Sequence, residues 1–125
     1  ATGTCTTTLT GHTNMVTSVA ISPDTTWLAT TSFDGTVRLW DRATGTCTTT
    51  LTGHTNMVTS VAISPDTTWL ATTSYDGTVR IWNVADRSFV AMARAEGALT
   101  SSAWGSRQEL VVGGKWGLYL FELLT

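Results

Sequence analysis

Short apolar segments alternate with turn residues along the chain. In the first 42 residues, Val and Ile recur at every second position of such a segment, and no segment carries apolar residues at the 3.6-residue spacing of a helix. Ser22-Pro23-Asp24-Thr25 is typical of a turn, and Asp34-Gly35 is typical of a tight hairpin. The pattern predicts an all-β protein of short antiparallel strands. The strands expected in the first unit cover residues 16–22, 27–32, 36–40 and 46–51.

The chain repeats itself with a period of 42 residues. Residues 1–42 and 43–84 differ only by Phe33 against Tyr75, Leu39 against Ile81, Asp41 against Asn83 and Arg42 against Val84. Four strands in roughly 42 residues correspond to one β-propeller blade. The sequence therefore predicts blades at 1–42 and 43–84, and a divergent third copy at 85–125.

The third copy keeps the strand pattern of the first two. Residues 98–104 align with 57–63, and residues 118–123 align with 79–84. In the order of the repeat, the chain begins with an outer strand, residues 4–9, that has no inner strands before it. It ends with the inner strands of the third copy, which have no outer strand after them. We therefore expect three four-stranded blades in which the last blade is completed from another chain.

Each of the first two copies contains two dipeptides that are similar to those of a known family. Gly-His at 11–12 and 53–54, followed by Trp-Asp at 40–41 and Trp-Asn at 82–83, resembles the signature of the WD-repeat family. The resemblance implies a β-propeller that acts as a protein-interaction scaffold, with no cofactor and no enzymatic activity. The third copy has Glu96-Gly97 and Phe121-Glu122 in these places, and is loosely similar to the closing blade of WD-repeat tails on bacterial signalling ATPases. That likeness would make the chain a sensor module of a larger protein.

A histidine, a serine and an aspartate recur in each of the two conserved copies. Such a set is also compatible with a hydrolase, which would use His12 or His54. The family resemblance instead implies a structural network that runs from Asp to His to Ser to Trp and satisfies its buried polar groups. Because the set occurs twice, we favour the structural interpretation. The predicted tetrads are His12, Ser32, Asp34 and Trp40, and His54, Ser74, Asp76 and Trp82.

Apolar side chains flank the Gly-His and Asp-Gly turns. The resemblance places these positions on one rim of the propeller, and Met and aromatic side chains are common interface anchors. We therefore expect a protein or peptide partner to bind there, although packing against the next blade is an alternative. The predicted rim residues are Met15, Thr17, Phe33, Met57, Thr59 and Tyr75.

Two further pairs of residues recur with the repeat. Trp27 and Trp69 would stack sugars in a carbohydrate-binding propeller, or pack over a blade corner or between blades. Cys5 and Cys47 lie on consecutive blades, too far apart for a disulfide, and are expected to be free and buried.

Composition excludes several classes of partner. The net charge is −2, and Lys115 is the only lysine, so a nucleic-acid partner is not expected. The sequence contains no apolar run of membrane-spanning length and no signal-peptide pattern. With free cysteines, these features favour a cytoplasmic location. Two histidines and two cysteines do not suggest a structural zinc site, and no metal is expected.

Three blades fall short of the four to eight that close a propeller. We therefore expect the chain to associate with itself, as a dimer of six blades or a trimer of nine. The near-identity of the first two copies also fits a fragment or an engineered building block of a larger propeller, without an evolved function of its own.

Overall fold

Eleven strands form three antiparallel sheets, in the computed structural model of residues 3–105 and 108–123. Two sheets have four strands and the third has three, and strands adjacent in sequence are adjacent in each sheet. The strands are β1 (Val16–Ile21), β2 (Trp27–Ser32), β3 (Val37–Asp41), β4 (Cys47–Leu51), β5 (Val58–Ile63), β6 (Trp69–Ser74), β7 (Thr78–Asn83), β8 (Phe89–Arg94), β9 (Leu99–Trp104), β10 (Glu109–Gly114) and β11 (Gly117–Glu122). The predicted all-β fold and its three blade units are therefore present.

Strand register is the same in all three sheets. Leu28 pairs with Trp40 in the first sheet, Leu70 pairs with Trp82 in the second, and Leu110 pairs with Phe121 in the third. In the first two sheets, the hairpins before β3 and β7 turn at Gly35 and Gly77, each with a φ of 84° that favours glycine. The alignment of the divergent third copy with the other two is thus correct at the level of backbone pairing.

The hydrophobic core lies between neighbouring sheets. One cluster joins the first and second sheets through residues such as Val37, Leu39, Val58 and Trp82. A second cluster joins the second and third sheets in the same way. The inner strands β1, β5 and β9 lie side by side, as the innermost strands of adjacent blades do. Each blade is therefore stabilised by the next one.

The expected outer strand at residues 4–9 does not form. The structure shows no strand before Val16 among the described residues, and Leu9 lies near Gly45 in the loop between β3 and β4. Residues 46–51 have the same sequence but do form β4, because β3 offers them a hydrogen-bonded partner. The third sheet accordingly ends at β11, with no outer strand. None of the described segments is a helix of membrane-spanning length and apolarity.

Candidate protein-binding rim

A chain of four hydrogen-bonded side chains crosses each of the first two sheets. In the second sheet, Trp82 Nε1 donates to Thr72 Oγ1 (3.0 Å), His54 Nε2 lies 2.8 Å from the same hydroxyl, and His54 Nδ1 lies 3.0 Å from Asp76 Oδ2. Because the indole only donates, the Thr72 hydroxyl hydrogen is free to point at His54 Nε2. His54 then carries its proton on Nδ1 and donates it to Asp76. The first sheet repeats the arrangement with Trp40, Thr30, His12 and Asp34.

The hydroxyl of each network comes from threonine and not from the predicted serine. Thr30 and Thr72 occupy the position between histidine and tryptophan, so the inclusion of Ser32 and Ser74 in the tetrads was wrong. Ser74 Oγ instead accepts from the Asp76 amide at 3.0 Å and donates to the Met57 carbonyl at 2.8 Å. The serine, two residues beyond the threonine on the same strand, therefore stabilises the hairpin turn.

Burial and hydrogen bonding set the charge state of this network. Burial lowers the pKa of His54 and outweighs the raising effect of the Asp76 carboxylate, so the imidazole is held neutral. Burial acts to raise the pKa of Asp76, but hydrogen bonds from Thr78, the Thr55 amide and His54 overcome it and lower the pKa to about 2. The corresponding hydrogen bonds hold the pKa of Asp34 well below its usual range. Thr72 is fully buried, so its hydroxyl is not accessible to a substrate, and the network of the second sheet is a structural one.

The apolar rim residues lie at the same end of the two sheets. Phe33 donates its amide to the Met15 carbonyl, and Tyr75 donates its amide to the Met57 carbonyl, so each pair is adjacent across the start of an inner hairpin. Met15, Phe33 and Tyr75 are exposed. Met57 is only half-buried and lies beside the first sheet. We refer to these four residues as the rim.

A groove of about 270 Å³ separates the two halves of the rim. Phe33 and Gly35 line it from the first sheet, and His54, Asn56 and Met57 line it from the second. Its surface is mostly polar, and Phe33 and Met57 are among the residues that line it. The groove can therefore offer hydrogen bonds to a backbone and apolar contact to side chains.

Thr17 and Thr59, which were also predicted on the binding rim, contact the next blade. Thr17 Oγ1 donates to the Val58 carbonyl of the next sheet at 2.5 Å, and Thr59 Oγ1 donates to the Leu99 carbonyl at 2.7 Å. Both side chains are half-buried. These hydroxyls join one blade to the next, and their contact with a partner stays a prediction.

The third sheet carries neither the network nor an equivalent rim. Val112 and Phe121 stand at the positions that Thr72 and Trp82 hold in the second sheet. An apolar pair leaves no buried donor to satisfy, so the loss of histidine costs this blade no unpaired group. In place of rim residues, the third sheet has Lys115 and Trp116, both of which are exposed.

Both outer faces of the three-sheet array are apolar and exposed. Val16 on β1 is 52% exposed, whereas its counterpart Val58 on β5 is fully buried at 0%. Leu118 on β11 is 73% exposed, whereas its counterpart Val79 on β7 is 2% exposed. The exposed apolar residues of these faces are Val16, Val19 and Ile21 on β1, and Leu118 and Leu120 on β11.

The repeated tryptophans pack between blades, one of the environments predicted for them, whereas the repeated cysteines do not lie in the core. Trp27 and Trp69 are half-buried and pack against the clusters between sheets, with the Arg87 guanidinium 5.8 Å from the Trp27 ring. Cys5 and Cys47 are free as expected, but both are exposed, so their assignment to the core was wrong. Cys47 lies on an outer strand with solvent on one side.

The fold and these repeated sites define a WD-type propeller segment. The family described as WD domain, G-beta repeat matches residues 3–41 and 45–83, together more than half of the chain. The chain therefore belongs to the WD40-repeat family, which is not an enzymatic family. Among solved structures, the WD40 repeats of RRP9 superpose with a TM-score of 0.81 at 20% identity, over 84% of this chain and 34% of that one. That likeness concerns the fold.

Two curated proteins share short segments with the chain. The target of rapamycin complex subunit wat1 of Schizosaccharomyces pombe is 61% identical over 31 residues, which is 25% of this chain and 10% of that protein. The ribosome biogenesis protein ERB1 of Debaryomyces hansenii is 51% identical over 37 residues, which is 30% of this chain and 5% of that protein. The matches thus span no more than a tenth of either relative.

Proposed function

We propose that this chain is a non-catalytic scaffold that binds an extended protein segment across the rim. The observation that carries the proposal is the pairing of exposed Met15, Phe33 and Tyr75 with a polar groove between the first two sheets. The polar lining suits the backbone of a bound segment, and the flanking apolar side chains suit its side chains. A relative named as a subunit of a multiprotein complex supports a role in protein assembly.

Replacing the four rim residues tests the proposal. A variant with Met15, Phe33, Met57 and Tyr75 all changed to Ala should recover at least tenfold less partner in a quantitative pull-down, because one buried anchor typically contributes at least ~2 kcal/mol. Thr50→Ala with Val90→Ala, at exposed positions of outer strands, is the matched control. Equal recovery by all three proteins would place any partner elsewhere.

We further propose that chains of these 125 residues close a ring by self-association, as a dimer of six blades or a trimer of nine. The support is the similarity between the exposed outer faces and the buried junctions within the chain. Leu118 and Leu120 occupy the register of buried Val79 and Ile81, and Val16 occupies that of buried Val58. Joining the two outer faces would reproduce an existing blade junction.

The free edge of β11 supports the same proposal. In the first sheet, Leu51 pairs with Val37 across β3 and β4. The repeat transfers this register to Leu9 opposite Leu118, with residues 4–9 of a second chain as the missing outer strand. A strand added to an open edge satisfies its backbone groups and removes an aggregation-prone surface.

Light scattering combined with a charge substitution tests ring closure. Wild type should show two or three times the 13.3 kDa chain mass. Leu118→Asp with Leu120→Asp should shift the mass to one chain while the circular dichroism spectrum stays that of a folded β protein, because these side chains contact no core. A folded wild-type monomer would contradict the proposal.

A further inference from the structure

The third sheet repeats the backbone geometry of the rim with different side chains. The amide of Lys115 donates to the carbonyl of Ala98 at 3.0 Å, and the same bond joins each aromatic residue of the rim to its methionine. Lys115 therefore stands where the first two sheets have an aromatic residue, and Ala98 stands where they have methionine. This end of the array is apolar on two sheets and basic on the third.

Two cationic side chains and an indole lie close to the junction of the second and third sheets. Lys115 and Trp116 are both exposed, with Lys115 Nζ 5.1 Å from the centre of the Trp116 ring. The indole lies against Gly97, where an added Cβ would be only 2.9 Å from it. Arg94, at the end of β8, is exposed and has its Nη1 atom 3.5 Å from the Asp76 carbonyl. We refer to Arg94, Lys115 and Trp116 as the basic site.

The carboxylates at this end of the array leave the basic site without an ion pair. Among the described residues, ion pairs within 4.0 Å join only histidine to aspartate in the two networks. Asp34 and Asp76 belong to those networks, and their side chains are 8% and 6% exposed. Glu96 is exposed in the loop between β8 and β9, and is the carboxylate that opposes the two cations. The ammonium and guanidinium groups are therefore available to a negatively charged partner.

The opposite end of the sheets has the opposite charge. Acidic side chains outnumber basic ones in the turns and strand ends there, within residues 3–105 and 108–123. The acidic residues are Asp24, Asp41, Asp66, Asp86, Glu109 and Glu122, and the basic residues are Arg42 and Arg87. A negatively charged segment would be repelled from that end and attracted to the basic site.

We propose that the basic site binds an acidic side chain of the partner, so that the bound segment has apolar residues over the first two sheets and Asp or Glu over the third. This inference rests on the proposed function, because it requires an extended segment to cross the rim. A carboxylate between Lys115 and Arg94 would be held by both charges, while an apolar neighbour covers the exposed face of Trp116. Lys115 is then a residue that determines specificity.

A phage-displayed library of random dodecapeptides is the probe for this preference. Peptides selected on the whole wild-type chain should be enriched in apolar residues towards one end and in Asp or Glu towards the other. Selection on Lys115→Glu should keep the apolar enrichment and lose the acidic one. Apolar peptides without acidic enrichment on wild type would overturn this inference and leave the proposed function standing, whereas recovery of no specific peptide would contradict both.

Fluorescence anisotropy with one selected peptide, and with its copy carrying Gln for Glu and Asn for Asp, measures the contribution of Lys115. Lys115→Glu should weaken binding of the acidic peptide by about fivefold and leave the amide peptide nearly unaffected, because the variant replaces an attraction by a repulsion. The preference of wild type for the acidic peptide should decrease as salt is added.

Two further variants locate the effect at the basic site. Arg42→Glu makes the same change in net charge at an exposed position of the opposite end, and should bind both peptides as wild type does. Glu96→Gln removes the opposing carboxylate and should strengthen binding of the acidic peptide. An equal loss of affinity for the acidic and amide peptides in Lys115→Glu, or the same loss in Arg42→Glu, would overturn the proposal.

Discussion

The three inner strands of the first and second sheets have almost the same sequence and very different surfaces. Val16, Val19 and Ile21 on β1 are exposed, whereas Val58 and Val61 on β5 are buried. The difference arises because β5 faces the first sheet and β1 faces solvent. Burial in this fold is therefore a property of the junction between blades and not of the repeat unit itself.

The third sheet shows the complementary case, in which the sequence changes and the geometry is retained. Its register matches that of the other sheets, although its network of threonine, histidine and tryptophan is gone. Packing of Leu99, Leu110 and Val112 against the second sheet is sufficient to hold it. Hydrogen-bonded networks are therefore one way to build a blade and not a requirement of the fold.

The strongest test of this comparison is a charge at one repeat position in two copies. Val58→Asp should unfold the protein or destabilise it by more than ~4 kcal/mol, because the carboxylate would be buried without a partner. Val16→Asp should leave the chain folded, because this side chain already meets solvent in the single chain. Denaturant unfolding monitored by circular dichroism measures both.

The outcome for Val16→Asp also reports on ring closure. In a closed ring, Val16 would be buried as Val58 is, and its substitution should convert the oligomer to a monomer without loss of secondary structure. If Val16→Asp lowered the unfolding free energy of the single chain as much as Val58→Asp does, the neighbouring sheet would not be what sets the burial of β1 and β5.

A smaller effect is expected within the hydrogen-bonded network of the second sheet. His54→Ala should cost ~1–3 kcal/mol, because the buried groups of Thr72 and Asp76 lose a partner. A double-mutant cycle of His54→Ala with Thr72→Val should show a coupling of at least ~0.5 kcal/mol. The cycle with Ser74→Ala should show weaker coupling, because Ser74 bonds to the turn and not to the imidazole. Stronger coupling to Ser74 would reverse the assignment.

The alternation of apolar residues and the repeat were enough to predict the strands of the three sheets, but they also predicted an outer strand at residues 4–9 that does not form. They could not identify the hydroxyl of the network, because Thr30 and Ser32 are two residues apart and lie on the same face of β2. The choice depends on the pairing of Trp40 with Leu28, which brings the indole within reach of Thr30. Strand register of this kind is not visible in the residue pattern.

The contacts that Thr17 and Thr59 make between blades could not be predicted from the sequence either. Their acceptors are carbonyl groups of the neighbouring sheet, which lie 41 residues along the chain from Thr17 and 40 residues from Thr59. The prediction of cysteine burial failed for a related reason, since Cys47 lies at the exposed end of outer strand β4. Contacts between blades decide all three positions, and one repeat read alone does not contain them.

A pH effect should distinguish His54 from the rest of the network. The folded-state pKa of His54 is lowered below 6.5, so the unfolded chain takes up a proton that the folded chain does not. The free energy of unfolding should therefore fall as pH drops from 6.5 to the lowered folded pKa, by at most about 1.4 kcal/mol per pH unit. Above pH 6.5, the contribution of His54 to the free energy of unfolding should be constant.

Comparison with His54→Ala isolates this contribution. The variant should show a flatter dependence of unfolding free energy on pH in the same range, measured by urea titrations at pH 7.5, 6.5 and 5.5. A slope as steep as that of wild type would show that the neutral imidazole is not its source.

The smallest expected effect concerns two cysteines with the same repeat position. Cys5 precedes the first strand and Cys47 lies on β4, yet both are exposed and free. Cys5→Ser and Cys47→Ser should each change the free energy of unfolding by less than ~0.5 kcal/mol, as is usual for surface substitutions. Both thiols should also react with a disulfide reagent in the folded protein, and each variant should lose one reactive thiol. A thiol that reacts only after denaturation would belong to a buried position. Cys5 should stay reactive in the oligomer as well, because Cys47 is exposed at the same position of an outer strand.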